Sequence, residues 1–102
     1  MLGDTQTAGI TANGLTQITA TAITASINNV GTVTATNNGV ILPLVATTPY
    51  SWIMIRNSDG ADTLNVWPAV GEAMNTLVNT PVGVAAGTGK VFCKLGSGWI
   101  ST

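Results

Sequence analysis

Tyr50-Ser51-Trp52-Ile53-Met54-Ile55-Arg56-Asn57, then Ser58-Asp59-Gly60-Ala61-Asp62, then Thr63-Leu64-Asn65-Val66-Trp67-Pro68 run through the middle of the chain, and their reading decides the fold class. Two β-rich runs flank a polar loop that contains glycine, the pattern of an antiparallel hairpin. Side chains alternate across a strand, so Ile53 and Ile55 share one face while Trp52, Met54 and Arg56 share the other. In the second run Leu64 and Val66 fall on one face, Asn65 and Trp67 on the other. The aliphatic faces supply a core. The remaining face carries two tryptophans, a methionine and an arginine, types enriched at the centres of interfaces. Two readings of it stand open. Either the second sheet of a sandwich covers these side chains, or they form a surface on which something else packs. Under the second reading Trp52, Met54, Arg56 and Trp67 are the contact residues. Each fully buried tryptophan would remove on the order of 150–250 Å² from water.

Outward from this stretch the same texture repeats. On the N-terminal side, Val30, Thr32 and Thr34 alternate with Gly31, Val33 and Ala35, and Asn37-Asn38-Gly39 predicts a hairpin turn. Val40-Ile41-Leu42 is a short run closed by Pro43, and Thr47-Thr48-Pro49 marks a further turn. On the C-terminal side, Ala69 to Asn75 reads as a turn with one irregular segment, in which Met74 and Leu77 drop inward. Asn79-Thr80-Pro81 turns into Val82-Gly83-Val84-Ala85. Gly87-Thr88-Gly89 predicts a hairpin into Lys90–Leu95, and Gly96-Ser97-Gly98 turns into the closing Trp99-Ile100-Ser101-Thr102. Residues 1 to 29 are rich in Thr and Ala. Ile10-Thr11-Ala12, Ile18-Thr19-Ala20 and Ile23-Thr24-Ala25 look alike, but their spacings are unequal, so they read as compositional bias rather than a solenoid repeat. One or two strands are expected between Leu15 and Ile27. Residues 1–14 read as an N-terminal arm and 15–102 as one domain of about eight short strands. The expected fold is all-β: an antiparallel β-sandwich, jelly-roll-like.

The totals narrow the function. The chain has 102 residues, 7% charged, a net charge of -1, no histidine and one cysteine. So weak a charge offers no electrostatic footprint for nucleic acid or for anionic lipid, and little repulsion between copies. No apolar run reaches the ~18 residues of a membrane-crossing helix, and the first residues lack the pattern of a secretory signal. Cys93 is alone, so it forms no internal disulfide, and in Val91-Phe92-Cys93-Lys94-Leu95 it reads as a buried small hydrophobe. Gly87-Thr88-Gly89-Lys90 imitates the end of a phosphate loop. That pattern needs glycine where Val84 stands and a hydroxyl where Val91 stands. Asn57, Asp59 and Asp62 share a loop without the acidic residue that would complete a calcium-binding loop. Hydrolytic chemistry lacks a histidine base, and Asp4, Asp59, Asp62 and Glu72 are the only acids in the chain. No catalytic set, cofactor site or metal site is expected.

Gly39-Val40-Ile41-Leu42-Pro43, Ile55-Arg56-Asn57, Leu64-Asn65-Val66-Trp67-Pro68-Ala69, Gly71-Glu72-Ala73-Met74-Asn75 and Gly98-Trp99 form an ordered set spanning residues 28 to 102. In this the chain resembles small structural proteins of tailed bacteriophages, in particular head decoration (cement) proteins. Trp67 stands where tyrosine is commoner among such sequences. The resemblance implies a jelly-roll or related β-sandwich on the outer capsid surface, made in the host cytoplasm. It further implies homotrimers that clamp neighbouring copies of the major capsid protein. A tail, collar or fibre module that binds other virion proteins or host glycans is the alternative, and a pilus or surface-layer subunit a third.

Overall fold

The computed structural model describes residues 4–102. Among them there is no helix, and eleven strands form two mixed sheets. The strands are β1 (Gln6–Ala12), β2 (Thr21–Ala22), β3 (Ile27–Val33), β4 (Gly39–Ile41), β5 (Trp52–Asn57), β6 (Leu64–Trp67), β7 (Ala73–Met74), β8 (Leu77–Val78), β9 (Val82–Val84), β10 (Gly89–Leu95) and β11 (Gly98–Ser101). The larger sheet has seven strands in the order β1-β3-β5-β10-β11-β7-β8, and the smaller has four in the order β2-β4-β6-β9.

The pairing is not that of an antiparallel jelly roll. β1, β3 and β5 are parallel neighbours in the large sheet, and β2, β4 and β6 are parallel neighbours in the small one. The chain therefore crosses from one sheet to the other and back, each pass lying on the previous one, as in a short β-solenoid. Gln6 faces Ile27 and Ile27 faces Met54, steps of 21 and 27 residues. Thr21 faces Val40 and Gly39 faces Asn65, steps of 19 and 26. The coils differ in length, and connections of different length at the corners return the chain to register, so the solenoid carries no fixed period and the Ile-Thr-Ala triplets do not mark its coils. β9 and β10 then run antiparallel to β6 and β5 and close the stack. The first fourteen residues, expected as an arm, contain β1. Met1–Gly3 lie outside the described residues.

The three expected hairpins before Lys90 are corners. β5 and β6 belong to different sheets, as do β3 and β4, and β9 and β10. Both runs of the central stretch are strands with the predicted faces: Ile53 and Ile55 are fully buried, as are Leu64 and Val66. Those faces meet across the interior instead of lying side by side. The Ser58–Thr63 connection is stitched to neighbouring coils as well as to itself. Ser58 N donates to Val30 O of the coil below, and Asn37 N donates to Thr63 O. Gly39, expected as a turn glycine, is needed instead for space. A Cβ there would come within 3.0 Å of the Trp67 indole and 2.9 Å of Asn65 O. The predicted Gly96-Ser97 hairpin does form, between β10 and β11, with Gly96 at positive φ. Asn75 and Thr76, both at positive φ, close a tight β7–β8 hairpin. That turn buries Met74 as expected but leaves Leu77 58% exposed.

Asp59 acts as the clasp of the central corner. Its carboxylate accepts backbone N–H groups from Asp62 at 2.8 Å, Ala61 at 3.0 Å and Val33 at 3.2 Å. These bonds hold its pKa below the ordinary 3.8, the Asp62 and Ala61 amides ahead of the Val33 amide. A depressed folded-state pKa means that the carboxylate stabilises the fold above its unfolded value, and that this is lost as pH falls through the folded value. Asp59→Asn should thus lower Tm at neutral pH, with the gap to the parent chain closing as the pH falls below the ordinary carboxylate value and through the lowered one. Thermal melts of both chains at neutral and acid pH check this.

The core lies between the sheets. Val30, Ile53, Ile55, Phe92 and Trp99 come from the large sheet, and Val40, Leu64, Val66 and Val84 from the small one. Burial of this apolar set, at about 25 cal/mol per Å² of apolar surface, is what holds a chain with so few charges folded.

Candidate functional site

With Phe92 turned into the core, the alternation along β10 places Val91, Cys93 and Leu95 on the outer face of the large sheet. Register then builds two rows across neighbouring strands. Trp52 on β5 faces Cys93 on β10, which faces Ile100 on β11. One step along, Ile27 on β3 faces Met54 on β5, which faces Val91 on β10. Arg56 continues the β5 face beside Asn29 and Gly89. Trp52 is 37% and Ile100 40% exposed, Leu95 is more open still, and Ile27, Met54, Val91 and Cys93 are half-buried. The result is an apolar face on a hydrogen-bonded sheet, with one cation at its margin.

Three of the four residues expected to make contacts therefore lie together: Trp52, Met54 and Arg56 occupy alternate positions of one strand. Trp67 does not join them. It lies on β6 in the small sheet, half-buried, its indole laid across Gly39 with Nε1 buried and unpartnered. Close packing on a glycine makes Trp67 a structural side chain of the small sheet's outer face. Trp99, whose orientation the sequence left open, is buried in the core. Cys93, expected inside, is half-buried on the outer face. Ile27, Val91, Cys93 and Ile100 belong to the face but were not singled out from sequence. The alternation of Val91, Cys93 and Leu95 around Phe92 was the available signal, and it lacked only an orientation for Phe92.

Chemistry-bearing groups are otherwise engaged in the fold. Thr88 N and its hydroxyl both reach Ala85 O, and Gly87 N donates to Asn57 O, so Gly87-Thr88 is a corner with both amides spent. Lys90 Nζ donates to Thr102 O at 2.9 Å and Lys94 Nζ to Thr48 O at 2.8 Å. Thr36 Oγ1 donates to Asp62, and Glu72 accepts the Val45 amide with both oxygens. Among the described residues no three His, Cys, Asp or Glu side chains gather in a way that could hold a metal ion.

No protein-family model, no curated protein and no solved structure matches the chain.

Proposed function

We propose that the chain is a structural component of a virion, a decoration protein that docks on the major capsid protein at the outer head surface. It works by contact, through the outer face of the large sheet. The observation that supports this is the pair of apolar rows, Trp52-Cys93-Ile100 and Ile27-Met54-Val91, exposed at Trp52 and Ile100 and half-buried elsewhere on the outer face of a hydrogen-bonded sheet. A small domain gains by burying such a face, and a tryptophan beside an arginine is the composition of an interface centre. Repetition over many equivalent sites turns a modest area per copy into strong reinforcement through multivalency. The sequence resemblance points to the same use.

Binding to emptied, expanded heads tests it. The chain should co-sediment with them and raise their melting temperature. Trp52→Ala should weaken binding by about 30-fold or more, the effect of truncating a central anchor. Because Trp52 is partly exposed, the variant's own stability should move by no more than about 1 kcal/mol. Unchanged binding by the variant, or heads ignored altogether, contradicts the reading.

A tail, collar or fibre module that binds host glycans is the second reading, and one feature favours it. An open recess of about 210 Å³ lies between β1 and β2, lined by Thr7, Thr11, Thr21, Thr24 and Asn28 together with Ile10 and Ile23. Retention on a cell-surface polysaccharide, with heads ignored, separates this reading from head binding.

A further inference from the structure

Among the described residues, Arg56 is the charge that the fold leaves unanswered. The chain has four acids and three cations. Asp4 Oδ1 accepts the Ser26 hydroxyl, Asp59 accepts backbone amides, Asp62 accepts the Thr36 hydroxyl, and Glu72 accepts the Val45 amide. Lys90 and Lys94 donate to the carbonyls of Thr102 and Thr48. Each acid is thus engaged elsewhere, while Arg56 stands exposed on the outer face of β5.

Its surroundings suit an anion from outside. Register sets Asn29 of β3 directly opposite Arg56, and on the other side Gly89 of β10, which offers no side chain. Ser58 Oγ donates to Asn29 Oδ1, so the Nδ2 of that carboxamide remains as a donor. The register of β1 slips between Thr7 and Ile10, and Ala8 presents only a methyl group there. A groove of about 420 Å³ results. Its lining joins the apolar Ala8, Ile27 and Met54 to the polar Gln6, Asn29 and Arg56, and no acidic residue takes part. A cavity of about 150 Å³ holds a benzene ring, so the groove has room for one acidic side chain.

We propose that this groove takes an acidic side chain, Asp or Glu, from the surface on which the large sheet docks. The methylene stem lies against Ile27 and Met54, and the Arg56 guanidinium holds the carboxylate with the Asn29 amide beside it. This rests on the reading of the outer face as the docking surface, and it names chemistry that the partner must present there. Guanidinium and carboxylate match as planar forks joined by two parallel hydrogen bonds, a geometry that lysine does not reproduce. One cation beside apolar carbon suits a single carboxylate on a polypeptide, not the row of phosphates of a nucleic acid. Arg56 stands four residues along β5 from Trp52, about 13 Å. The partner therefore offers an apolar seat for the indole and an acid about that distance away.

Binding of the full chain to emptied, expanded heads at low and high salt tests this, with Arg56→Gln, Arg56→Lys, Arg56→Glu and Trp52→Ala. Arg56 is exposed, so its variants should fold, and circular dichroism melts verify it. At low salt Arg56→Gln should weaken binding about 10-fold, and Arg56→Glu about 100-fold or more because it sets like charges together. Arg56→Lys should fall between the parent and Arg56→Gln, since it keeps the charge and loses the fork. The gap between the parent and Arg56→Gln should narrow as salt rises and screens the pair. Equal binding by those two chains overturns the proposal. So does a loss that salt leaves unchanged, which marks packing of the arginine stem instead. If Trp52→Ala still weakens binding in either case, the docking reading stands without the acid. Heads ignored by the parent chain contradict both.

Discussion

Asn57→Ala should lower the free energy of unfolding by about 2–4 kcal/mol, seen as a lower midpoint of urea unfolding at unchanged slope. Asn57 is fully buried at the corner between the sheets. Its Nδ2 donates to Asp62 O at 2.9 Å and to Val84 O at 3.0 Å, and its Oδ1 accepts Asp59 N at 3.0 Å. One amide thus ties β5 to its own corner and to β9, the strand that closes the small sheet. Truncation leaves a buried carbonyl without a donor, a cost of about 1–3 kcal/mol for each group so stranded. Asn57→Asp keeps the shape but replaces the donor with an acceptor facing two carbonyls, and should be the worse of the two. If both substitutions stay within about 0.5 kcal/mol of the parent, the corner is not the joint that the hydrogen bonds describe.

Trp99→Ala should cost about 3–5 kcal/mol, the range for deleting a large aromatic from a core. Trp99 is 1% exposed, packs with the cluster around Phe92 and Met74, and pairs β11 to both β10 and β7. Its Nε1, however, is buried without a partner. Trp99→Phe gives up volume but also removes a stranded donor, and the two effects oppose each other. The phenylalanine variant should therefore lie within about 1.5 kcal/mol of the parent, far above the alanine variant. Near-equal losses for the two would mean that the indole N–H is satisfied in solution, by water or by a shift of its neighbours.

These residues also show how far the sequence could be read. Alternation placed Ile53, Ile55, Leu64 and Val66 inside and left Trp52, Met54 and Arg56 outside, because a period of two records which way a side chain points. It does not record which strand lies alongside. The Ser58–Thr63 connection carries the Asp and Gly of a hairpin loop. Only in three dimensions does Asp59 reach the Val33 amide one coil earlier, turning the loop into a corner. Gly39 misled for a related reason: an Asn-Asn-Gly triplet suits a tight turn, yet this glycine makes room for an indole. Trp67 could not be told from Trp52 by pattern alone, since one covers a glycine and the other faces water. The parallel stack stayed hidden because its coils differ in length and carry no shared motif. The outer rows were half legible, with β5 read correctly and β10 missed until the orientation of Phe92 was known.

The central claim is that the outer face of the large sheet is where this protein meets its neighbours in a virion, and an image of the assembled particle tests it most directly. The claim predicts density for this chain on the outer head surface, with the large sheet turned toward its neighbours and Trp52, Met54 and Ile100 inside the contact. Density absent from the shell, or present with those side chains facing solvent and the Trp67 side making the contact, would contradict it.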